Sequence, residues 1–150
     1  MRLMLIALLV LGSYACLAAD AVSGRVIKVL PFLIDTNGLV AKSPSLFDRD
    51  AYQAYLLAHT NDISGMRFDV QWKADKSPDL KVRVELRGVG ATNMPTTKTL
   101  ETTVKPGTFS KWTEFTLTGD DYKNVGSVVA WRATLWNGDA QIGEQQSFLW

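Results

Sequence analysis

Histidine and cysteine, the side chains that most often activate or perform nucleophilic chemistry near neutral pH, are nearly absent from the chain. It has one histidine, His59, and one cysteine, Cys16. Nucleophilic catalysis needs a nucleophile, a base and a group that orients the base. His59 has no Gly-x-Ser-x-Gly elbow to serve, and it stands at the end of an expected helix, where the helix dipole favours an imidazolium. Carboxylates fall in two near pairs, Asp48/Asp50 and Asp120/Asp121. Glycoside hydrolysis requires two carboxylates across a cleft, and a metal requires several oxygens converging on one point. Asp48 reads as a helix-start residue and Asp120-Asp121 as turn chemistry after Gly119, and the oxygen-rich loop of calcium sites is absent. The expectation is a protein that is not an enzyme, with no catalytic residue, no metal ligand and no cofactor. A calcium site in the Asp120-Asp121 loop and a carboxylate-dependent hydrolase are the alternatives.

Binding chemistry is better represented. Arg67, Asp69, Gln71 and Lys73 alternate with apolar residues along one run, and Lys81, Arg83, Glu85 and Arg87 along the next. Five cations against two anions make a basic ribbon if the runs lie side by side. Such a face is either solvated and laced with cross-strand ion pairs or a surface for an anionic glycan or protein. Of the five tryptophans, Trp72 and Trp131 have core parity. Trp112, Trp136 and Trp150 either pack under a helix, cap a sheet edge or form stacking platforms. The candidate binding surface is therefore Arg67, Lys73, Lys81, Arg83, Arg87, Trp112 and Trp136.

The first segment reads as a secretory leader: a basic start at Arg2, an apolar run from Leu3 to Leu11 too short to cross a bilayer, and small residues around Ala18 for cleavage. The boundary favoured is 1–18, with acylation at Cys16 as the lipoprotein alternative. Residues 19–150 are the size of one domain, about 130 residues, enough for a core without metal or disulfide staples. Apart from Cys16 the chain has no thiol, which suits an exported bacterial domain held by packing alone. One of the 16 basic residues, Arg2, falls in the leader, so the rest is balanced against 15 acidic residues. That balance gives no global attraction to nucleic acid, and no later apolar run has transmembrane length.

The elements that must position these residues follow from periodicity. Val26 to Leu30 is a strand that Pro31 confines to a sheet edge or a bulge, followed by a turn at Asp35 to Gly38. A helix is expected at about 45–59, capped by Ser45 with Asp48 three residues on. Its apolar face is Phe47, Ala51, Ala54, Tyr55 and Ala58, predicted to cover an outer sheet surface. Met66 to Lys73 and Leu80 to Arg87 alternate with period two and are expected to pair antiparallel. Thr96 to Val104 and Lys111 to Thr118 are further strands, Phe115 and Leu117 pointing inward. Gly119 to Gly126 reads as a link. Val128 to Trp136, apolar on both faces, reads as a central strand that Asn137-Gly138 joins by a type I′ turn to a last strand running to Trp150.

The sum is mainly β, an antiparallel sandwich of about seven strands with one inserted amphipathic helix. The order of elements, the Asp121-Tyr122 pair and the Trp131 to Trp150 hairpin resemble an immunoglobulin-like or fibronectin-type-III-like sandwich. That resemblance covers about the last two thirds of the chain and implies that the Tyr122 hydroxyl bonds back across a corner. The Cys-Trp-Cys core of true immunoglobulin domains is absent, and the helix is outside the basic pattern. Ser45 to Tyr55 and Ser147 to Trp150 are also similar to stretches of uncharacterised secreted bacterial proteins, a likeness that implies no activity. The function expected is an exported binding domain of the bacterial envelope with a protein or glycan partner. The alternative is an assembly subunit using an exposed edge strand.

Overall fold

The computed structural model describes residues 22–150, so the leader and Cys16 lie outside the described residues. Seven strands form two antiparallel sheets: β1 (Gly24–Asp35), β2 (Ile63–Ala74) and β5 (Lys111–Thr118) in the order β1-β2-β5, and β3 (Leu80–Val89), β4 (Pro95–Thr103), β6 (Ser127–Asn137) and β7 (Ala140–Gln146) in the order β4-β3-β6-β7. Two helices join them, α1 (Leu46–Ala58) and α2 (Gly119–Val125). The alternation read from the sequence holds on both inner faces. Phe68, Val70 and Trp72 of β2 meet Leu80, Val82, Val84 and Leu86 of β3, each at most 1 % exposed. At ~1.5–3 kcal/mol for each large apolar side chain buried, this layer is the main source of cohesion. The Trp72 indole N–H donates to the Thr113 hydroxyl at 2.8 Å, so its one polar atom is satisfied inside the core.

Two strands expected to pair do not. β2 bonds to β1 and β5, β3 to β4 and β6, and the chain crosses from one sheet to the other between them. Both keep their apolar sides inward because the two sheets share one core. As Pro31 requires, β1 is an edge, with a register shift between Val26 and Lys28. Near its start β1 also meets β7, where a Cβ on Gly143 would stand 2.8 Å from the Arg25 Cα. Glycine is required there for two backbones to touch and close that side of the sandwich. On the other side β4 and β5 each keep one free edge.

α1 begins as expected: Ser45 caps it, its hydroxyl accepting from the Asp48 N–H. Its buried face is different. Leu56 is fully buried, flanked by half-buried Arg49, Tyr52 and Gln53, whereas Phe47 is 82 % exposed and Ala51, Ala54, Tyr55 and Ala58 face outward. The reason lies in the edge strand. The Gln53 amide donates to the Leu33 and Val40 carbonyls (2.9 and 2.8 Å) and accepts from the Leu33 N–H (2.7 Å), so the helix turns polar atoms inward to satisfy the Leu33 backbone of β1 and the Val40 carbonyl beyond it. It therefore lies along β1 and leaves the outer surface of β6 to other residues.

β6 is central, as expected, and other groups cover its outer face. Thr134 is buried there and accepts from the Trp136 indole at 2.8 Å, and Trp150 folds over Arg87 and Arg132, 4.0 and 4.8 Å from ring centre to guanidinium carbon. Trp150 is not strand. β7 ends at Gln146 because Ser147 binds Trp131 through both its N–H (2.8 Å) and its hydroxyl (3.0 Å), and the chain turns. The hairpin loop is Gly138-Asp139, with positive φ at Gly138 alone, the φ pattern of a type II′ turn and not of the expected type I′. Gly119 to Gly126, read as a link, contains α2, which ends at Gly126 with φ of 72°. Tyr122 lies in this helix, its ring packed against the core, and its hydroxyl has no hydrogen bond among the described residues.

Candidate functional site

Because β2 and β3 lie in different sheets, the expected basic ribbon is split between opposite surfaces. Lys81, Arg83 and Arg87 are on the outer face of the second sheet. Arg83 bonds Glu101 at 2.7 Å and lies 4.8 Å from the Trp136 ring, Lys81 reaches the same carboxylate at 3.7 Å, and Arg132 takes Glu85 at 2.8 Å. The Arg83 bond, assisted by Lys81, holds the Glu101 carboxyl below its usual range in spite of burial. Arg67 and Lys73 are on the first sheet. Arg67 pairs with Asp69 at 2.8 Å and with Glu114 at 3.8 Å, and its guanidinium lies 5.6 Å from the centre of the Phe32 ring. Burial nevertheless pushes the Asp69 carboxyl up, Arg67 only partly opposing it. Trp112, 49 % exposed, is on this sheet too, at the edge strand β5, while Trp136 is half covered by Arg83. The seven residues therefore make no common surface.

The acidic pairs also separate. Asp121 holds Lys98 at 2.8 Å and Asp120 faces Lys123 at 3.9 Å; Asp48 accepts from the Ser43 hydroxyl at 2.6 Å and Asp50 pairs with Arg49 at 2.9 Å. Among the described residues no three His, Cys, Asp or Glu side chains stand close enough to hold a metal ion.

Two features that the sequence did not reveal lie on either side of α1. One is an apolar groove. Two hollows of about 440 and 520 Å³ share Leu33, Leu57 and Met66, the first running on to Pro31 and Ala54, the second to Ile63, Tyr122 and Val128. Leu57, 70 % exposed, stands on its lip. Burial beside this groove raises the Tyr122 hydroxyl pKa.

The other is a polar pocket of about 410 Å³ between α1 and the turn after β1. Asp35, 3 % exposed, accepts from the backbone N–H groups of Asn37 and Leu39 (both 2.8 Å) and from the Tyr52 hydroxyl at 2.6 Å. Burial works to raise its pKa, and these bonds, Tyr52 first, outweigh burial and lower it. The same bond pushes Tyr52 up to about 12. Tyr55 donates to Asp62 at 2.8 Å, which raises its pKa in turn. The Tyr52 and Tyr55 rings are within 7° of parallel with centres 5.9 Å apart, and His59 stacks on Tyr55 at 4.0 Å. The Lys42 ammonium lies 4.7 Å from the centre of Tyr52 and 5.8 Å from that of Tyr55. The visible signal for this pocket was the helical spacing of Tyr52, Tyr55 and His59; Asp35 read only as a turn residue.

Comparison with known protein families, with characterised proteins and with solved structures finds no match.

Proposed function

We propose that this chain is an exported, non-enzymatic binding domain that engages a protein partner along the apolar groove beside α1. The observation that carries the reading is the inverted helix: polar Arg49, Tyr52 and Gln53 face the sandwich while Leu46, Phe47 and Leu57 face solvent. Of these, Leu57 lines the groove together with Leu33, Ala54 and Met66, and an apolar groove with an exposed leucine on its lip marks an interaction surface more often than a folding requirement. A protein is favoured over a glycan because Trp136 and Trp150 are occupied by arginines, leaving Trp112 as the open indole. Export rests on the leader-like residues 1–18. The strand order supports an immunoglobulin-like arrangement, with β1, β2 and β5 facing β3, β6 and β7, and β4 added beside β3. The separated carboxylate pairs favour binding over hydrolysis.

A second reading has its own observation. β4 and β5 face each other across an open cleft of about 540 Å³, each with a free edge able to accept a strand from another chain. One experiment separates the two: a photo-crosslinking amino acid placed at Leu57 or at Thr97 in the producing cell. The groove reading expects a discrete adduct from position 57 and none from 97. Adducts from 97 alone would transfer the role to the strand edge, and none from either would overturn the binding reading.

A further inference from the structure

The polar pocket on the far side of α1 carries an inference independent of the groove. We propose that it is a site for a small organic ammonium ion, best a weakly hydrated quaternary one, and that Lys42 is its resident competitor.

Aromatic faces attract cations through their quadrupoles. Here two nearly parallel tyrosine rings are present, and each hydroxyl donates to a carboxylate, Tyr52 to Asp35 at 2.6 Å and Tyr55 to Asp62 at 2.8 Å. A phenol sharing its proton with a carboxylate carries more electron density, which strengthens the attraction of the ring for a cation. The pocket lining holds two carboxylates and one cation, Lys42, so one negative charge is left over. The Asp35 carboxylate is desolvated, so its field is less screened than that of a surface group.

Lys42 shows where a positive charge settles. Its ammonium lies over both rings, and among the described residues it makes no ion pair with a carboxylate. Lys42 is exposed, and its ammonium, with three N–H donors, stays strongly hydrated at the mouth of the site, whereas a quaternary ion has no donors to leave unsatisfied if it enters further. Asp35 is fixed by its backbone bonds and the tyrosines by the helix, so the site is formed before a ligand arrives.

The test is titration of tetramethylammonium and choline into the wild-type protein, Lys42→Ala and Lys42→Ala/Tyr55→Ala, read from the tyrosine ring resonances by NMR. The neutral isostere 3,3-dimethylbutanol serves as control. Lys42→Ala should bind the cations about tenfold more tightly than wild type, and removing the Tyr55 ring should reverse that gain, on the scale of one cation–π contact. Tyr55→Phe, which keeps the ring and loses the bond to Asp62, should fall between and guards against loss of fold in the alanine variant. Absence of a saturable shift in Lys42→Ala, equal response to the neutral isostere, or indifference to Tyr55 would each overturn the proposal.

Discussion

Leu56→Ala tests how α1 is held. Leu56 is the buried residue of the helix and is 0 % exposed. Truncation to alanine removes three carbons from a dry site, about 2.4 kcal/mol at ~0.8 kcal/mol per carbon. A cavity term is added because β1 on the other side is tied to β2 along its length and cannot collapse inward. The expected cost is therefore about 3–4 kcal/mol, within the usual 2–5 kcal/mol for buried leucine. Phe47→Ala, at a side chain 82 % exposed, should cost no more than about 0.5 kcal/mol. The assay is urea unfolding followed by tryptophan fluorescence, with amide exchange across Leu46–Ala58 as a second readout. If the helix opens before the sandwich, exchange will show the loss where fluorescence does not. Equal destabilisation by the two substitutions, or a larger effect at Phe47, would refute the inverted orientation of α1.

Two further predictions concern pH and have opposite signs. Asp35 has a folded pKa below its ordinary 3.8, so its contribution to stability is complete above that value and is lost as pH falls through the lower folded value; Asp35→Asn should flatten the acid limb of the stability profile. An acid limb unchanged in that variant would show that the Asp35 bonds do not persist in solution. Tyr52 is raised from 10.0 to about 12, so its contribution is complete below the first value and is lost as pH rises through the second. Tyr52→Phe should remove that alkaline loss, and an unaltered alkaline limb would count against the bond to Asp35.

The strands were legible because burial on one face leaves a period of two that few other structures leave. The strand expected over Lys111 to Thr118 has the ends that β5 has, and Leu80, Val82, Val84 and Leu86 are all inside. Period two does not say which strand is the neighbour. Ala74 to Asp79 has the composition of a hairpin loop, yet a sandwich can join strands of opposite sheets with the same residues, since both strands still present their apolar sides to one core. The basic ribbon failed for that reason alone: its residues point outward as expected, but from two surfaces. The orientation of α1 departs from expectation for a different reason. Counting apolar residues selects the more hydrophobic stripe, and here an edge strand with unpaired backbone groups drew Gln53 inward in preference to Phe47.

The same competition explains why neither candidate site was visible. With Gln53 turned onto the Leu33 backbone and Leu56 buried, Ala54 and Leu57 beside them are left as the helix side of the groove, so the groove and the sealed edge share one cause. Sealing also requires an anchor near the end of β1, and Asp35 supplies it by holding both the turn that follows and Tyr52 of the helix. Once Tyr52 is fixed, Tyr55 one turn on is aligned with it, and their hydroxyls are committed to Asp35 and Asp62. A structural clasp thus leaves two electron-rich rings and a surplus negative charge at the surface, where Lys42 settles. Substituting Gln53 should loosen the helix and disturb groove and pocket together, whereas a change at Leu57 or Lys42 should affect one and leave the other intact.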